Sequence, residues 1–449
     1  MSAVSEILEA LQEVESGGVG RFAASLDPAW IEAALSATGK ASIRRRKLPA
    51  TQAVWLVLGM SLFEDRSIRD VVDHLGLVME GVDSLAPSAV VAARQRLGPE
   101  PMKWLFERVA GEWADHSPGL EGWRGLSLHA VDGTCLRAWD SDENFGAFGK
   151  PGGRGGSNDA GYPQLRLACL LNLQTRMIRA AAFDRYATSE HALAERLWSH
   201  LPDRSLTILD RGFVDYEVFA SLVAAGDARH LLVRMRRNMK PEMIETLADG
   251  TERALLRPSR KLVASNPGVA ESLPIRIIHY QHEGGEPSRL MTTLLDPDAY
   301  PAQELIDIYH ERWEIELAYD ELKTHMIERK ESLRSRLPDG VIQEVYGLLL
   351  TYNLVRREML LAAESHQLPP KRISFRSSLL WVRNFWHLAW HTSPGAIPKH
   401  LGNFRSTLDV LILPERKSER RYPRHVKIKM SNYPRNRGKR DSAAPGVLK

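Results

Sequence analysis

Cysteine is nearly absent: Cys135 and Cys169 are the only two in 449 residues. That argues against a disulfide framework and against a cysteine-based zinc site, and fits a reducing, intracellular setting. No uninterrupted apolar stretch reaches the roughly 18 residues that a membrane-spanning helix needs. The first residues, MSAVSEILEALQEVESG, are acidic and amphipathic, without the basic start and apolar core of a secretory signal. Tryptophan is missing from the whole interval between Trp198 and Trp313. What remains, 43% hydrophobic and 26% charged residues, is the balance of an ordinary globular chain, and its length suggests about three domains.

The formal net charge is only +4, but it is unevenly placed. Residues 414–440, PERKSERRYPRHVKIKMSNYPRNRGKR, hold eleven Lys or Arg against two Glu, a net +9 that leaves −5 for the rest. Three prolines and two tyrosines among these cations favour an extended chain over a helix. Such a segment contacts polyanions electrostatically, with Arg421, Arg424 and Lys427 as candidate nucleic-acid contacts. A solvated tail that aids solubility is the alternative.

Residues 1–118 read as helical, with Leu8, Ile31, Val54, Leu58, Leu62 and Val71 in helix-period runs. A basic cluster, Arg44 to Lys47, precedes the apolar helix that starts near Pro49. Ser88 is the expected N-cap of a helix carrying Arg94 and Arg96. This fits a small DNA-binding domain or an ordinary bundle with a charged surface. From about 120 the pattern becomes strands over 126–138, 162–175 and 177–188, a helix over 189–201, a strand over 205–210, a helix over 215–226 and a strand over 230–235. That order matches an RNase H-like mixed sheet flanked by helices, an α/β fold in which the first and fourth strands lie side by side. The glycine-rich run 145–163 lacks the Ser or Thr and the following helix of a phosphate loop, and reads as a loop. Residues 236–300 alternate between Gly or Pro and short strand patterns, as in a β-rich insertion. Helices follow over 340–365 and 374–391. The expected division is 1–118, then 119–395 interrupted by the insertion 236–300, then 396–449 with the basic tail.

The segment YHERWEIELAYDELK, from Tyr309 to Lys323, is the most pointed. On one regular helix Tyr309, Arg312, Glu316 and Lys323 fall within roughly a 60° arc. Ile308, Ile315, Tyr319, Leu322 and Met326 form an apolar stripe beside it that can dock the helix. Asp132 ends an expected strand in SLHAVDGTCLRA, and Asp210 ends another in SLTILDRGF. Each has an ordinary reading, as a turn Asp-Gly, a strand-end turn or a solvated helix glutamate. Together, adjoining parallel strands would gather Asp132 and Asp210, and the later helix can add Glu316. Arg234, Arg236 and Lys240 follow the last sheet strand and would line a duplex or a solvated edge.

With these residues in view, the chain resembles the DDE transposases of the insertion sequence 4 family. Tyr309, Arg312, Glu316 and Lys323 match that group's Y-x2-R-x3-E-x6-K signature without a gap. VDGT around Asp132 and DRGF around Asp210 resemble its two aspartate motifs, and the likeness runs from about residue 20 to 440. The resemblance implies catalysis and metal binding by Asp132, Asp210 and Glu316, with two Mg²⁺ ions, or Mn²⁺ in their place. It implies phosphate contacts from Tyr309, Arg312 and Lys323. Its implied partners are double-stranded DNA, as terminal inverted repeats and target, and a second copy in a homodimeric end complex. Its implied location is the bacterial cytoplasm, at the nucleoid. Hairpin-forming relatives carry a base-stacking tryptophan in the insertion, where this chain has none; Tyr280 and His279 are the rings available there. An inactive DNA-binding regulator and a nuclease that cuts without joining are the alternatives.

Overall fold

The computed structural model describes residues 26, 28–41, 47–75, 77, 85–115, 122–151, 161–281, 286–327, 332–391 and 411–414. The cluster Arg44 to Arg46, the glycine-rich residues 152–160 and the tail cations Arg421, Arg424 and Lys427 lie outside them. The chain divides into Met1–Leu413 and Pro414–Lys449, and of the second unit only Pro414 is described.

The first described helices are α1 (Pro28–Ala37), α2 (Ala50–Leu62), α3 (Ile68–His74), α4 (Pro87–Leu97) and α5 (Glu100–Asp115). Every residue of α2 from Gln52 to Leu62 is buried, as suits a helix apolar on all sides. A capping box opens α3: Asp70 N donates to Ser67 Oγ (3.1 Å) and Ser67 N to Asp70 Oδ2 (3.2 Å). Helix α4 departs from expectation. Ala86 is its N-cap and Pro87 starts it, so Ser88 lies inside the first turn. Arg94 is buried, its Nε donating to Gln343 Oε1 (2.9 Å) and its Nη2 to Glu344 Oε1 (3.2 Å). A distant helix supplies those acceptors, and a cation so enclosed cannot meet a polyanion.

The rest of the chain runs β1 (Ser127–Arg137), α6 (Asp142–Phe148), β2 (Gln164–Asn172), β3 (Ile178–Arg185), α7 (Glu190–Glu195), β4 (Ser205–Leu209), α8 (Tyr216–Ala224) and β5 (Arg229–Arg234). Then come β6 (Glu242–Thr246), β7 (Glu252–Leu256), α9 (Arg260–Ser265), β8 (Leu273–Tyr280) and β9 (Ser288–Thr292). The final helices are α10 (Ala302–His310), α11 (Trp313–Asp320), α12 (Pro338–Ser365) and α13 (Phe375–His391). Part of the glycine-rich run expected as loop is therefore helical, because Ser141 Oγ accepts from Asn144 N (3.3 Å) and starts α6.

Among the described residues the strands form one sheet in the order β3-β2-β1-β4-β5-β9-β8-β7-β6. The β1–β2 and β2–β3 pairs are antiparallel, while β1–β4 and β4–β5 are parallel. This is the RNase H-like arrangement. The insertion strands do not fold apart: β9 pairs with β5 from Leu232↔Thr292, so they lengthen the same sheet.

Alternation along the strands gives each face its own core. Leu128, Ala130, Leu206 and Ile208 pack with residues of α2, α5, α11 and α12. Val131, Leu209, Leu231 and Val233 pack with residues of α7 and α8 on the other side. The N-terminal helices thus share a core with the sheet, through α12, which lies against α2 and α5. No described helix is long and apolar enough to cross a membrane.

Candidate active site

Strand register brings the two aspartates together. The last parallel pair of β1 and β4 is Val131↔Leu209, and Asp132 and Asp210 come next on each chain. By alternation both leave the sheet on the face that buries Ala130 and Ile208, against which α11 packs. Strand β1 continues to Arg137 beside β2, so Asp132-Gly133 is extended strand and not a turn. Asp132 Oδ1 accepts from Gly133 N (2.7 Å). Burial pushes the Asp132 carboxyl up to about 6; the Gly133 amide and Arg312 oppose the rise, and the charges of Asp210 and Glu190 add to it.

The helix expected from Tyr309 to Lys323 is broken twice. Between α10 and α11 the backbone tightens, with Glu311 N, Arg312 N, Glu314 N and Ile315 N each donating three residues back. After α11 the chain widens into a π turn over Glu321–Met326. The single regular stripe is corrected accordingly, because tight and wide turns advance the side chains by different angles. The apolar stripe holds: Ile308, Ile315, Tyr319, Leu322 and Met326 are all buried. Tyr319 Oη donates to the Asp132 carbonyl (2.5 Å) and accepts from Cys169 N (3.2 Å), which fixes α11 to β1 and β2.

The polar signature residues face this junction. Glu316 Oε1 accepts from Arg312 Nη2 (2.7 Å). Burial works against the Arg312 charge, but Asp210 and Glu316 outweigh it and raise its pKa. Lys323 Nζ donates to Thr134 Oγ1 of β1, and burial lowers its pKa. Tyr309 is buried, its phenol pushed up to about 12 by burial first, with Arg312 opposing and Asp210 adding.

Other expected contacts are placed less directly. Arg234 Nη2 donates to Ser288 Oγ (2.7 Å). Because β5 ends at Arg234, strand alternation does not extend to Arg236. That side chain curls back instead, its Nη2 donating to the Gly212 carbonyl (3.2 Å) beside Asp210. Lys240 is exposed. Tyr280 packs edge-on against His310 (6.5 Å between centroids), and His279 Nε2 bonds Glu252 Oε2 (3.0 Å).

Two neighbours of the aspartates were missed from sequence. Glu190, at the start of α7, lies so close over Gly133 that a Cβ there would come within 2.7 Å of its carboxyl carbon. It also pairs with Arg166 (3.1 Å). His191 Nε2 donates to the Gly212 carbonyl (2.9 Å). One helical turn thus touches the residue after Asp132 and the loop after Asp210. Ser189 marked that turn as a helix start, but nothing local marked it as part of a site.

Among the described residues, no three His, Cys, Asp or Glu side chains stand together closely enough to hold a metal ion. The donor chemistry itself fits a hard divalent cation: Asp132 and Asp210 offer carboxylate oxygens on one face, and Asp132 is half-buried at a charge cost that a cation would offset.

An RNase H-like sheet thus carries aspartates just past the last parallel pair of two adjoining strands, and the helix that covers them carries a glutamate. The insertion element 4 transposase N-terminal family matches residues 16–107, and the transposase DDE domain family matches residues 123–354. Transposase InsG for insertion sequence element IS4 of Escherichia coli (strain K12) is 34% identical over 93% of this chain and 94% of that protein. Putative transposase InsZ of the same strain is 34% identical over 51% of this chain and 77% of that protein. The piggyBac transposase synaptic complex with hairpin DNA, solved by cryo-EM, aligns over 91% of this chain and 85% of that one, with 12% identity and a TM-score of 0.43. The chain belongs to the insertion sequence 4 family of DDE transposases, and its activity is that of a DNA transposase. Enzymes of this family depend on a divalent metal.

Proposed function

We propose that Asp132, Asp210 and Glu316 are the catalytic carboxylates, acting in cleavage at the ends of an insertion sequence and in transfer of the freed 3′-OH into target DNA. The observation that carries this reading is the parallel register that ends at Val131↔Leu209, with α11 fixed over it by Tyr319. The three carboxylates would hold two Mg²⁺ ions, or Mn²⁺. When bound, such a pair activates the attacking oxygen and stabilises the leaving one. Arg312 and Lys323 supply positive charge for the DNA phosphates on either side of Glu316, and Tyr309 can donate to a phosphate oxygen. Arg312 bonds Glu316 through Nη2 alone, which leaves its other N–H groups to meet a phosphate beside that carboxylate. Arg234, Arg236 and Lys240 extend the cationic side of the junction along a duplex, and Arg421, Arg424 and Lys427 add contacts from the tail.

In this reading residues 1–118 bind DNA as a helical domain, 119–395 carry catalysis, and 396–449 form the C-terminal segment. The partners are the terminal inverted repeats, target DNA and a second copy of the chain, in the cytoplasm at the nucleoid. Asp132→Ala, Asp210→Ala and Glu316→Ala should each abolish cleavage of a duplex carrying the element's inverted repeat, while binding to it changes by less than about twofold. Cleavage that persists in any of the three removes that residue from the assignment. Strand-joined product on a plasmid target separates a transposase from a nuclease that only cuts.

A further inference from the structure

The first turn of α7 makes more polar contacts than a docked helix needs. Leu193 and Ala194, both fully buried, already anchor it in the core beneath that face of the sheet. Its two leading side chains reach instead to the backbone beside the aspartates. His191 Nε2 donates to the Gly212 carbonyl (2.9 Å), and its ring packs against the buried Phe213 ring (5.8 Å between centroids). Gly212 and Phe213 form the tight turn that follows Asp210, in which Phe213 N donates to the Asp210 carbonyl (2.9 Å). The Asp210 carboxylate lies over the same turn, its Oδ2 3.8 Å from the point where a Cβ on Gly212 would stand. Glu190 lies so close along Gly133 that a Cβ there would come within 2.7 Å of its Cγ. Gly133 in turn donates its amide to Asp132 Oδ1. Arg166 of β2 holds Glu190 in that place by an ion pair (3.1 Å), and its own guanidinium sits over the Tyr186 ring (5.1 Å to the centroid).

We propose that Glu190 and His191 are positioning residues for the two aspartates, and that this turn sets how the Asp132 and Asp210 carboxylates stand to each other. Strand register alone does not set it. The parallel pairing ends at Val131↔Leu209, one residue short of both aspartates. Beyond that pair the two backbones part: β1 continues beside β2, while β4 gives way to the tight turn. The first turn of α7 bridges the gap, with one side chain on each branch. Glu190 acts through the backbone and is not a metal ligand, because alternation turns Gly133 toward the α7 side of the sheet, opposite to Asp132. Two divalent ions about 3.5–4 Å apart tolerate little error in the carboxylates that hold them. Residues that orient such ligands are commonly worth about 10–100-fold in metal affinity. The inference rests on the carboxylate assignment above and adds the residues that keep it in shape.

Mn²⁺ binding tests it, followed by electron paramagnetic resonance on the full chain bound to an inverted-repeat duplex. Asp132→Ala shows how much of the bound Mn²⁺ belongs to the site. His191→Phe keeps the ring against Phe213 and removes the N–H, so a loss there is not a folding defect. His191→Phe and Glu190→Ala should each weaken Mn²⁺ affinity by at least about tenfold, with duplex affinity changed by less than about twofold. His191→Gln, which again offers an N–H to Gly212, and Glu190→Gln, which keeps the side chain along Gly133, should recover most of the affinity. A smaller loss in either disrupting variant, or no recovery in its glutamine counterpart, ends that residue's positioning role and leaves the carboxylate assignment standing. Mn²⁺ binding that is the same in Asp132→Ala as in the wild type overturns that assignment, and this inference with it.

Discussion

At the residue scale, Asp132 is the most consequential side chain. Its carboxyl is pushed up to about 6 from an ordinary value of 3.8, chiefly by burial. The folded chain therefore binds that proton more tightly than the unfolded chain does. Its contribution to stability is full below the unfolded value and is lost as pH rises through the folded one. In chelator, Asp132→Asn should stabilise the metal-free protein by on the order of 2–3 kcal/mol at pH 8, with little gain near pH 4. Denaturant unfolding across that range measures it, and an absent gain at pH 8 would mean that the carboxyl is well solvated. Asp132, Asp210 and Glu316, the carboxylates proposed for catalysis, could be picked out by residue type and motif. Their neighbours Glu190 and His191 could not, since their closeness to Gly133 and Gly212 depends on how α7 crosses the sheet.

At the element scale, the segment from α10 to the π turn shows what helical periodicity can and cannot foretell. The apolar stripe was legible because spacings of three, four and seven keep one face toward a core in any near-helical chain. The two breaks were not, because distant partners hold them. Glu321, the first residue of the π turn, accepts from Arg176 Nη1 (3.3 Å), Tyr352 Oη (3.1 Å) and Arg356 Nη2. Glu321, Arg176, Tyr352 and Arg356 are all buried. Glu321→Gln would take from Arg356 the carboxylate that it bonds, while Arg176 keeps Glu314, so a loss of roughly 3 kcal/mol is expected from the urea midpoint. A loss below about 1 kcal/mol would show that the π turn does not depend on this cluster.

At the scale of the whole molecule, charge is divided along the chain, with a net +9 over residues 414–440 against −5 for the rest. If Arg421, Arg424 and Lys427 each meet a phosphate, removing residues 414–449 should lower the slope of log affinity against log salt by about 3. Binding isotherms over a range of salt test this, and an unchanged slope makes the tail a bystander. The same scale explains where the insertion goes. The sequence suggested β-rich residues at 236–300 without placing them, and β9 pairs with β5 and adds those strands to the central sheet. A strand pattern states which face is buried, but it does not name the edge that the strand joins.

By itself the amino-acid sequence determined the order of the five central strands, the faces they bury and the three carboxylates proposed for chemistry. Those properties reside in local periodicity and in residue type. Only tertiary structure decided that Arg94 is enclosed by Gln343 and Glu344, and that the first helices share a core with the sheet. Each of these depends on a partner supplied by another turn, helix or strand, and the energy of a buried charge or a packed face is set by that partner.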